Sequence, residues 1–336
     1  MKNENVGVVI LSHCDHERTI QCIRSVLSQN ELPRRLVVCD NGSENETAEK
    51  VFSDWTALCR KMSLDEPEEV FGSNRSQSRF VHLRLDDNTG VPAGFNAAIN
   101  LLLYDKECEA FWLLHHDTEP APYALSAMVK HLDDDAGLPI GIVGSTLVYS
   151  DCGLQECAGG GKWNSWTGSI SLLDSGLDRY ALSDRKDIAD RLDFIHGASC
   201  LITRALIEKI GTFDPRLFFF YEDVEYSLRA KNAGFALNWA PGAVVRHVSP
   251  CSGKLTPIRD YKEDPELSEN ADYHFIRNRF YLLRKEKAYA LPFALATLPA
   301  TISSRFFRGQ KDRIRLIFHA ARDGIRGKFN DNDKAL

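Results

Sequence analysis

The 336-residue sequence predicts an α/β fold, a mostly parallel doubly wound sheet followed by a helical C-terminal tail. Three observations predict it. The apolar runs VGVVILS, RLVVCD, FVHLRL and FWLL alternate with helical patterns, the strand–helix order that demands parallel pairing. Each of these runs ends in polar residues, at the strand edge where such sheets bind ligands. The composition then shifts: from Arg277 to Lys328 there are 13 Lys or Arg against 3 Asp or Glu, in a chain whose net charge is −6.

Taken in order, VGVVILS is a first strand. RTIQCIRSVLSQ places Ile20, Ile23, Val26 and Leu27 on one helical face, and RLVVCD is the second strand. After Asp40 an Asn-Gly-Ser turn delivers Ser43 with Glu46 three residues later, a capping box that predicts a helix from about residue 44. FVHLRL at 80–85 precedes the loop DDNTGVPAG and the helix FNAAINLLLY. FWLL stops at His115, His116, Asp117 and Thr118, and Pro120 and Pro122 suit the first turn of a helix. IGIVGSTLVYS is strand-like, AGGGKWNSWTGSISLLDSG is a Gly-rich loop with two Trp, and residues 174–193 form a charged connection. ASCLITRALIEKIG is a strand and helix ended by Gly211, and a further helix stops at Gly234.

The composition, 43% hydrophobic and 26% charged, is that of a globular protein. Nine cysteines, an odd number without a CxxC pair, read as free buried thiols. Lys2 and Glu4 lead straight into the first strand, leaving no room for a secretory signal, and a cytoplasmic location is expected. The basic C-terminal stretch flanks the uncharged AYALPFALATLPATISS, residues 288–304, which favours an anionic membrane surface over nucleic acid. Pro292 and Pro299 argue against spanning, so an interfacial or buried helix pair is expected.

Five motifs carry chemistry: DNGS at 40–43, NTGVPAGFN at 88–96, HHDT at 115–118, FFFYEDVEYSLRAK at 218–231 and AVVRHVS at 243–249. Each alone has a plain structural reading, as a turn, a glycine loop, a helix cap or a core histidine. In this order they resemble the inverting family 2 glycosyltransferases with the GT-A type of nucleotide-diphospho-sugar transferase fold. YHFIRNRFYLLRK and AARDGIRGKF resemble the rhamnosyltransferase and galactofuranosyltransferase branch.

The resemblance implies a catalytic domain over residues 1–255, with a nucleotide-binding half at 1–120 and an acceptor-binding half at 140–255, and a basic helical region at 256–336. It implies that Asp40 accepts the base N–H, and that Ser12, Asn41, Gly42, Asn88, Gly94, Asn96 and His116 surround the donor. Asp117 and His247 would ligate a divalent cation, Mn²⁺ or Mg²⁺, which neutralises the leaving diphosphate. His115 stands where the family's DxD motif has its first acid. Asp223 would remove the acceptor proton and Glu222 would orient the acceptor, roles the two could exchange. Gln155, Glu156, Trp163, Trp166 and His196 would line the acceptor side.

The implied reaction is transfer of a hexose, rhamnose or galactofuranose first, from a dTDP- or UDP-sugar to a cell-envelope glycan or lipid-linked acceptor. An inactive nucleotide-sugar-binding homologue is the alternative. No nucleic-acid partner is expected, and the sequence does not set an oligomeric state.

Overall fold

The structure is a computed structural model that describes residues 5–72, 74–134, 137–178, 187–248, 265–307 and 309–329. Its first half contains β1 (Val6–Ser12), α1 (His16–Leu27), β2 (Arg35–Asn41), α2 (Asn45–Lys61), β3 (Glu68–Phe71), β4 (Phe80–Leu85), α3 (Val91–Leu103) and β5 (Ala110–His115), as the periodicity predicts except for the edge strand β3. There follow β6 (Thr118–Pro120), α4 (Ala124–Lys130), β7 (Ile140–Tyr149), β8 (Gln155–Ala158), β9 (Gly160–Trp163), β10 (Ile170–Leu172), α5 (Ile188–Arg191), β11 (Phe194–Ile195), β12 (Ser199–Thr203), α6 (Arg204–Ile210), α7 (Glu222–Asn232) and β13 (Ala236–His247). The C-terminal region is helical: α8 (Pro265–Lys287), α9 (Leu291–Leu295), α10 (Leu298–Phe307) and α11 (Asp312–Arg326).

The main sheet runs β3-β4-β2-β1-β5-β12-β7-β13-β6, with β8 on β7. The first five strands are parallel, whereas β12 is antiparallel to both β5 and β7. Strands buried on both faces read as unbroken apolar runs, and here alternate residues serve opposite layers. Val9, Leu11, Val37, Cys39, Phe111 and Leu113 face α3, while Val8, Ile10, Leu36, Val38, Trp112 and Leu114 face α1, α2 and α4. A small sheet β10-β9-β11 lies beside the main one. A Gly-rich loop was expected there, and glycine is what permits the pairing: a Cβ on Gly160 would lie 2.0 Å from the Phe194 carbonyl oxygen.

Three local expectations are corrected. α2 starts at Asn45 with no side-chain cap, because the Ser43 hydroxyl instead accepts the Cys14 N–H at 2.8 Å. The prolines at 120 and 122 precede α4 rather than open it, Pro120 closing the edge strand β6. The buried stripe of α1 is Thr19, Cys22, Ile23, Val26 and Leu27, so Ile20 lies at its margin. Of the cysteines, Cys22, Cys39, Cys59, Cys108, Cys157 and Cys200 are the expected buried free thiols, Cys14 is exposed, and Cys152 is disulfide-bonded.

The C-terminal helices share a core of their own, with Ile276, Phe280, Leu283, Leu298, Ile317 and Ala321. They also join the part of the chain that carries β11 and α7, since Leu282 packs with Phe194, Tyr221 and Val224. Part of the basic excess is internal: Arg277, Arg279, Arg305 and Arg313 are buried, the last two on Asp272. Among the described residues no helix is long and apolar enough to cross a membrane.

One backbone position anchors the turn after β2. Gly42 has φ +77°, and a Cβ there would lie 2.3 Å from the Asn88 nitrogen. Gly42→Ala is expected to destabilise the fold by at least about 1–2 kcal/mol from the backbone conformation alone. Thermal unfolding reads this directly, and an unchanged melting temperature would contradict the close approach.

Candidate active site

Parallel register assembles the first half of the cleft. β1 and β2 end together, with Ser12 beside Asp40, and Leu11 stands beside His115 of β5. Asp40 is nearly buried; one carboxylate oxygen accepts the Ser43 N–H at 2.8 Å, the other having no protein partner among the described residues. Ser12 is turned away, its hydroxyl bonded to that of Thr19 at 2.7 Å.

Asn41 is a strut. Its side-chain Oδ1 accepts the Thr89 N–H and hydroxyl at 3.0 and 2.8 Å, and its side-chain amide nitrogen donates to the Asn88 side-chain oxygen at 3.1 Å. The loop before α3 is thereby held against the end of β2. His13, which the sequence reading passed over, bridges the same two loops: its Nδ1 donates to the Asn41 carbonyl at 3.0 Å and its Nε2 lies 3.4 Å from the Asn88 amide. Burial lowers its pKa, so it is neutral there. The signal that could have found it was its place directly after a strand end.

Two expected donor contacts have structural occupations instead. Gly94 is buried where α3 crosses the sheet, and a Cβ on it would lie 2.5 Å from Leu11. Asn96 ties α3 to the Phe213 backbone through both of its amide atoms, at 2.9 and 3.0 Å. His116 folds back, its Nδ1 donating to the Leu11 carbonyl at 3.2 Å.

β6 and β13 pair antiparallel with His247 opposite Thr118, which brings His247 to Asp117. The His247 Nε2 lies 3.5 Å from Asp117 Oδ2, and its Nδ1 lies 2.7 Å from Glu156 Oε2 on β8. Burial opposes protonation of His247, but the two carboxylates outweigh it and raise its pKa to about 10. Burial alone would raise Asp117; the hydrogen bond and charge of His247, with His115 and His116 behind, hold it well below the usual range. His115 is no surrogate for an acid. It stacks on Phe95 with ring centroids 5.7 Å apart, and burial lowers its pKa to about 4.

Asp117 Oδ1 is buried without a hydrogen-bond partner among the described residues, an acceptor beside the His247 imidazole. One carboxylate, one imidazole and phosphate oxygens of a substrate form a donor set suited to Mn²⁺ or Mg²⁺, so the residues fit the cation that the resemblance implies. Among the described residues no group of three or more His, Cys, Asp or Glu could hold a metal by itself.

Asp223 stands in the first turn of α7. Its Oδ2 accepts the Gly197 N–H at 3.0 Å and its Oδ1 the Val224 N–H at 2.7 Å. His196, one residue before Gly197, packs edge-on against His247 at 5.9 Å and feels the charges of Glu156, Asp223 and Asp117. The two ends of the site therefore meet across His196. Burial raises Asp223, opposed by His196 and the two backbone N–H groups. Glu222 shares a small pocket with Asp223, Gly197, Phe95, Leu113, Phe213 and Tyr226, its Oε2 without a hydrogen-bond partner among the described residues; burial and then the Asp223 charge raise its pKa to about 8. A carboxyl so placed is protonated at neutral pH.

The remaining acceptor-side residues separate. Adjacent strand positions face opposite ways, and while Glu156 holds His247, Gln155 donates to the Asp174 carbonyl at 3.1 Å. Trp163 packs into the core shared with the C-terminal helices. Trp166 is exposed and meets the rings of Tyr289 and Phe293 edge-on at 5.7 and 5.0 Å.

Comparison with curated proteins finds no match. Among solved structures, GalNAc-T7 with UDP, GalNAc and Mn²⁺ superposes with a TM-score of 0.57 at 14% identity, covering 96% of this chain and 57% of that one. The chain thus spans just over half the length of that neighbour. The mannosyltransferase PcManGT from Pyrobaculum calidifontis, in complex with GDP-Man and Mn²⁺, superposes with a TM-score of 0.51 at 14% identity, covering 96% and 88%. These likenesses show the GT-A fold. The model of a family described as "Glycosyltransferase like family 2" matches residues 4–259, well over half of the chain, and the chain belongs to that family.

Proposed function

We propose that the chain is an inverting glycosyltransferase that moves a hexose from a dTDP- or UDP-sugar to a glycan or lipid-linked acceptor. The observation that carries this reading is the meeting of Asp117, His247 and Asp223 around His196. Family membership supports the reaction class, and the solved neighbours with UDP or GDP-Man and Mn²⁺ support a nucleotide-sugar donor and a divalent cation. Rhamnose and galactofuranose remain the first donors to test, on the resemblance of YHFIRNRFYLLRK and AARDGIRGKF to those branches.

In this mechanism Asp117 and His247 hold the cation, which when bound offsets negative charge growing on the departing diphosphate. Glu156 accepts the His247 Nδ1 proton and so directs Nε2 at the ligand. Asp40 is the residue for the base, and His13, Asn41 and Asn88 keep its loop in place. Asp223 takes the proton of the attacking hydroxyl while the Gly197 N–H steadies its Oδ2. Glu222, buried and neutral, keeps a second negative charge away from that base.

A panel of dTDP- and UDP-sugars assayed for hydrolysis, with calorimetric titration of UDP and dTDP with and without Mn²⁺, tests the whole reading. Asp223→Asn is expected to lower turnover by about 10²–10⁴-fold while leaving nucleotide affinity intact. Binding without turnover of any donor by the natural protein would favour the inactive homologue. The acid side of the kcat/KM profile gives a second test. A base works ionised, and burial raises the Asp223 pKa, so the rate is expected to climb with pH through a value above the ordinary carboxylate range of about 4. A profile already flat at pH 5 would reject Asp223 as the base.

A membrane surface is the partner proposed for the C-terminal helices. Phe293, Phe306, Phe307 and Phe318 are exposed, and a groove of about 420 Å³ between α10 and α11 is lined by Leu298, Ile302, Phe318 and Arg322. Apolar side chains beside basic ones suit the headgroup boundary of an anionic bilayer. Wild-type protein is expected to sediment with phosphatidylglycerol vesicles, less so as salt rises, and Phe306→Ser with Phe307→Ser to weaken this. Wild-type protein that stays in the supernatant at low salt would remove the membrane from this account.

A further inference from the structure

The residues just before Glu222 are strained. Phe218, Phe220 and Tyr221 have φ of 54°, 66° and 67°, a region that side-chain-bearing residues seldom occupy. Such conformations persist only where surrounding contacts over-determine them. The segment is coupled to both halves of the cleft. The Phe218 carbonyl accepts the Val91 N–H at 2.7 Å at the start of α3, and Tyr221 leads directly into α7, which begins without a side-chain cap.

The contacts that hold it come from α8, within the IRNR stretch that the site does not otherwise use. The Asn278 amide nitrogen lies 2.7, 2.8 and 2.8 Å from the carbonyl oxygens of Leu217, Phe219 and Phe220. Arg277 donates to the Arg216 and Leu217 carbonyls at 3.3 and 3.2 Å. Its Nε also donates to the Asn278 Oδ1 at 2.9 Å. That last bond fixes which way the amide faces, because a flipped Asn278 would set its oxygen against three carbonyls and its N–H groups against a guanidinium. Both side chains are fully buried. Tyr221 is pinned on the other side by its hydroxyl, which donates to the Gly168 carbonyl at 2.9 Å.

We propose that Asn278, oriented by Arg277, is a positioning residue for Asp223: it holds the strained 217–221 segment from which α7 starts. This rests on the reading of Asp223 as the base. α7 is a rigid extension of that segment, so a shift of Phe220 carries Asp223 away from Gly197 and from the hydroxyl it must reach. The C-terminal region is on this account part of the catalytic apparatus as well as a surface for a partner.

The test compares Asn278→Ala and Asn278→Asp with Asp223→Asn. The Asp variant keeps the volume and the acceptor for Arg277, and in place of the donor it sets a second oxygen, with its negative charge, against the three carbonyls. In full-length protein, kcat for hydrolysis of whichever UDP- or dTDP-sugar the natural protein turns over is expected to fall by about 10–100-fold, with KM and UDP affinity unchanged. Deuterium uptake is expected to rise in peptides covering 217–226 and to stay unchanged in those covering β1 and β2. Natural kcat in a folded variant, unchanged uptake at 217–226, or a rise spread over the whole chain would each overturn the proposal. So would failure of both variants to fold, since the pair would then serve folding alone. A fully active Asp223→Asn would remove the base assignment, whereas the exchange measurement would still report on the clamp.

Discussion

A buried imidazole held between two carboxylates is the interaction on which the second half of this molecule depends. His247 cannot be placed between Asp117 and Glu156 unless β13 pairs with β6 on one side and β7 carries β8 on the other. The sheet order beyond β5 and the site are thus one arrangement. An uncompensated carboxylate at either position would carry the full cost of burial, and breaking such a pair is far more damaging than never having built it. The antiparallel β12 serves the same end. It returns the chain so that His196 and Gly197, just before it, reach both His247 and Asp223.

The first half obeys a simpler constraint. Parallel strands in register end at one level, and the loops after β1, β2 and before α3 then crowd together. Their backbones approach so closely that Gly42 is obligatory, and the polar side chains Asn41, Asn88 and His13 bond mainly to one another and to these loops. A motif rich in polar residues need not present all of them to a ligand. Here most of them keep the shape, while Asp40 commits only one carboxylate oxygen, to the Ser43 N–H.

This separates what was legible in the sequence from what was not. Strands β1, β2, β4 and β5 were legible because burial on both faces leaves an unbroken apolar run, as in VGVVILS, whose seven residues are all buried. β3 was not, since EEVF is a short, half-exposed edge with no such run. β9 was hidden by Gly160 and Gly161, which pattern analysis reads as loop and which the fold uses for close approach to β11 and β10. In the site, Asp117, His247 and Asp223 were legible as strand-end or helix-start acids and bases in a fixed order. The partners of Glu156, Gln155 and Asn96 were not, because they lie 91, 19 and 117 residues away. The clamp on the FFFY segment was invisible for the same reason, α8 lying some sixty positions beyond the carbonyls it binds.

Charge explains why a histidine can stand where related enzymes carry an acid. Without ligand, the cluster moderates its own negative charge twice, by protonating His247 between two carboxylates and by keeping Glu222 neutral in an apolar pocket. Asp117 and the His247 Nε2 would hold a divalent cation in place of the Nε2 proton, and its charge would then relieve the same acids. A further carboxylate at position 115 would add charge that neither device offsets. The neutral ring of His115, stacked on Phe95, fills that place with packing instead. The departure from the acidic motif is therefore consistent with a metal site built from one acid and one imidazole, in which the substrate's own phosphates supply the missing ligands.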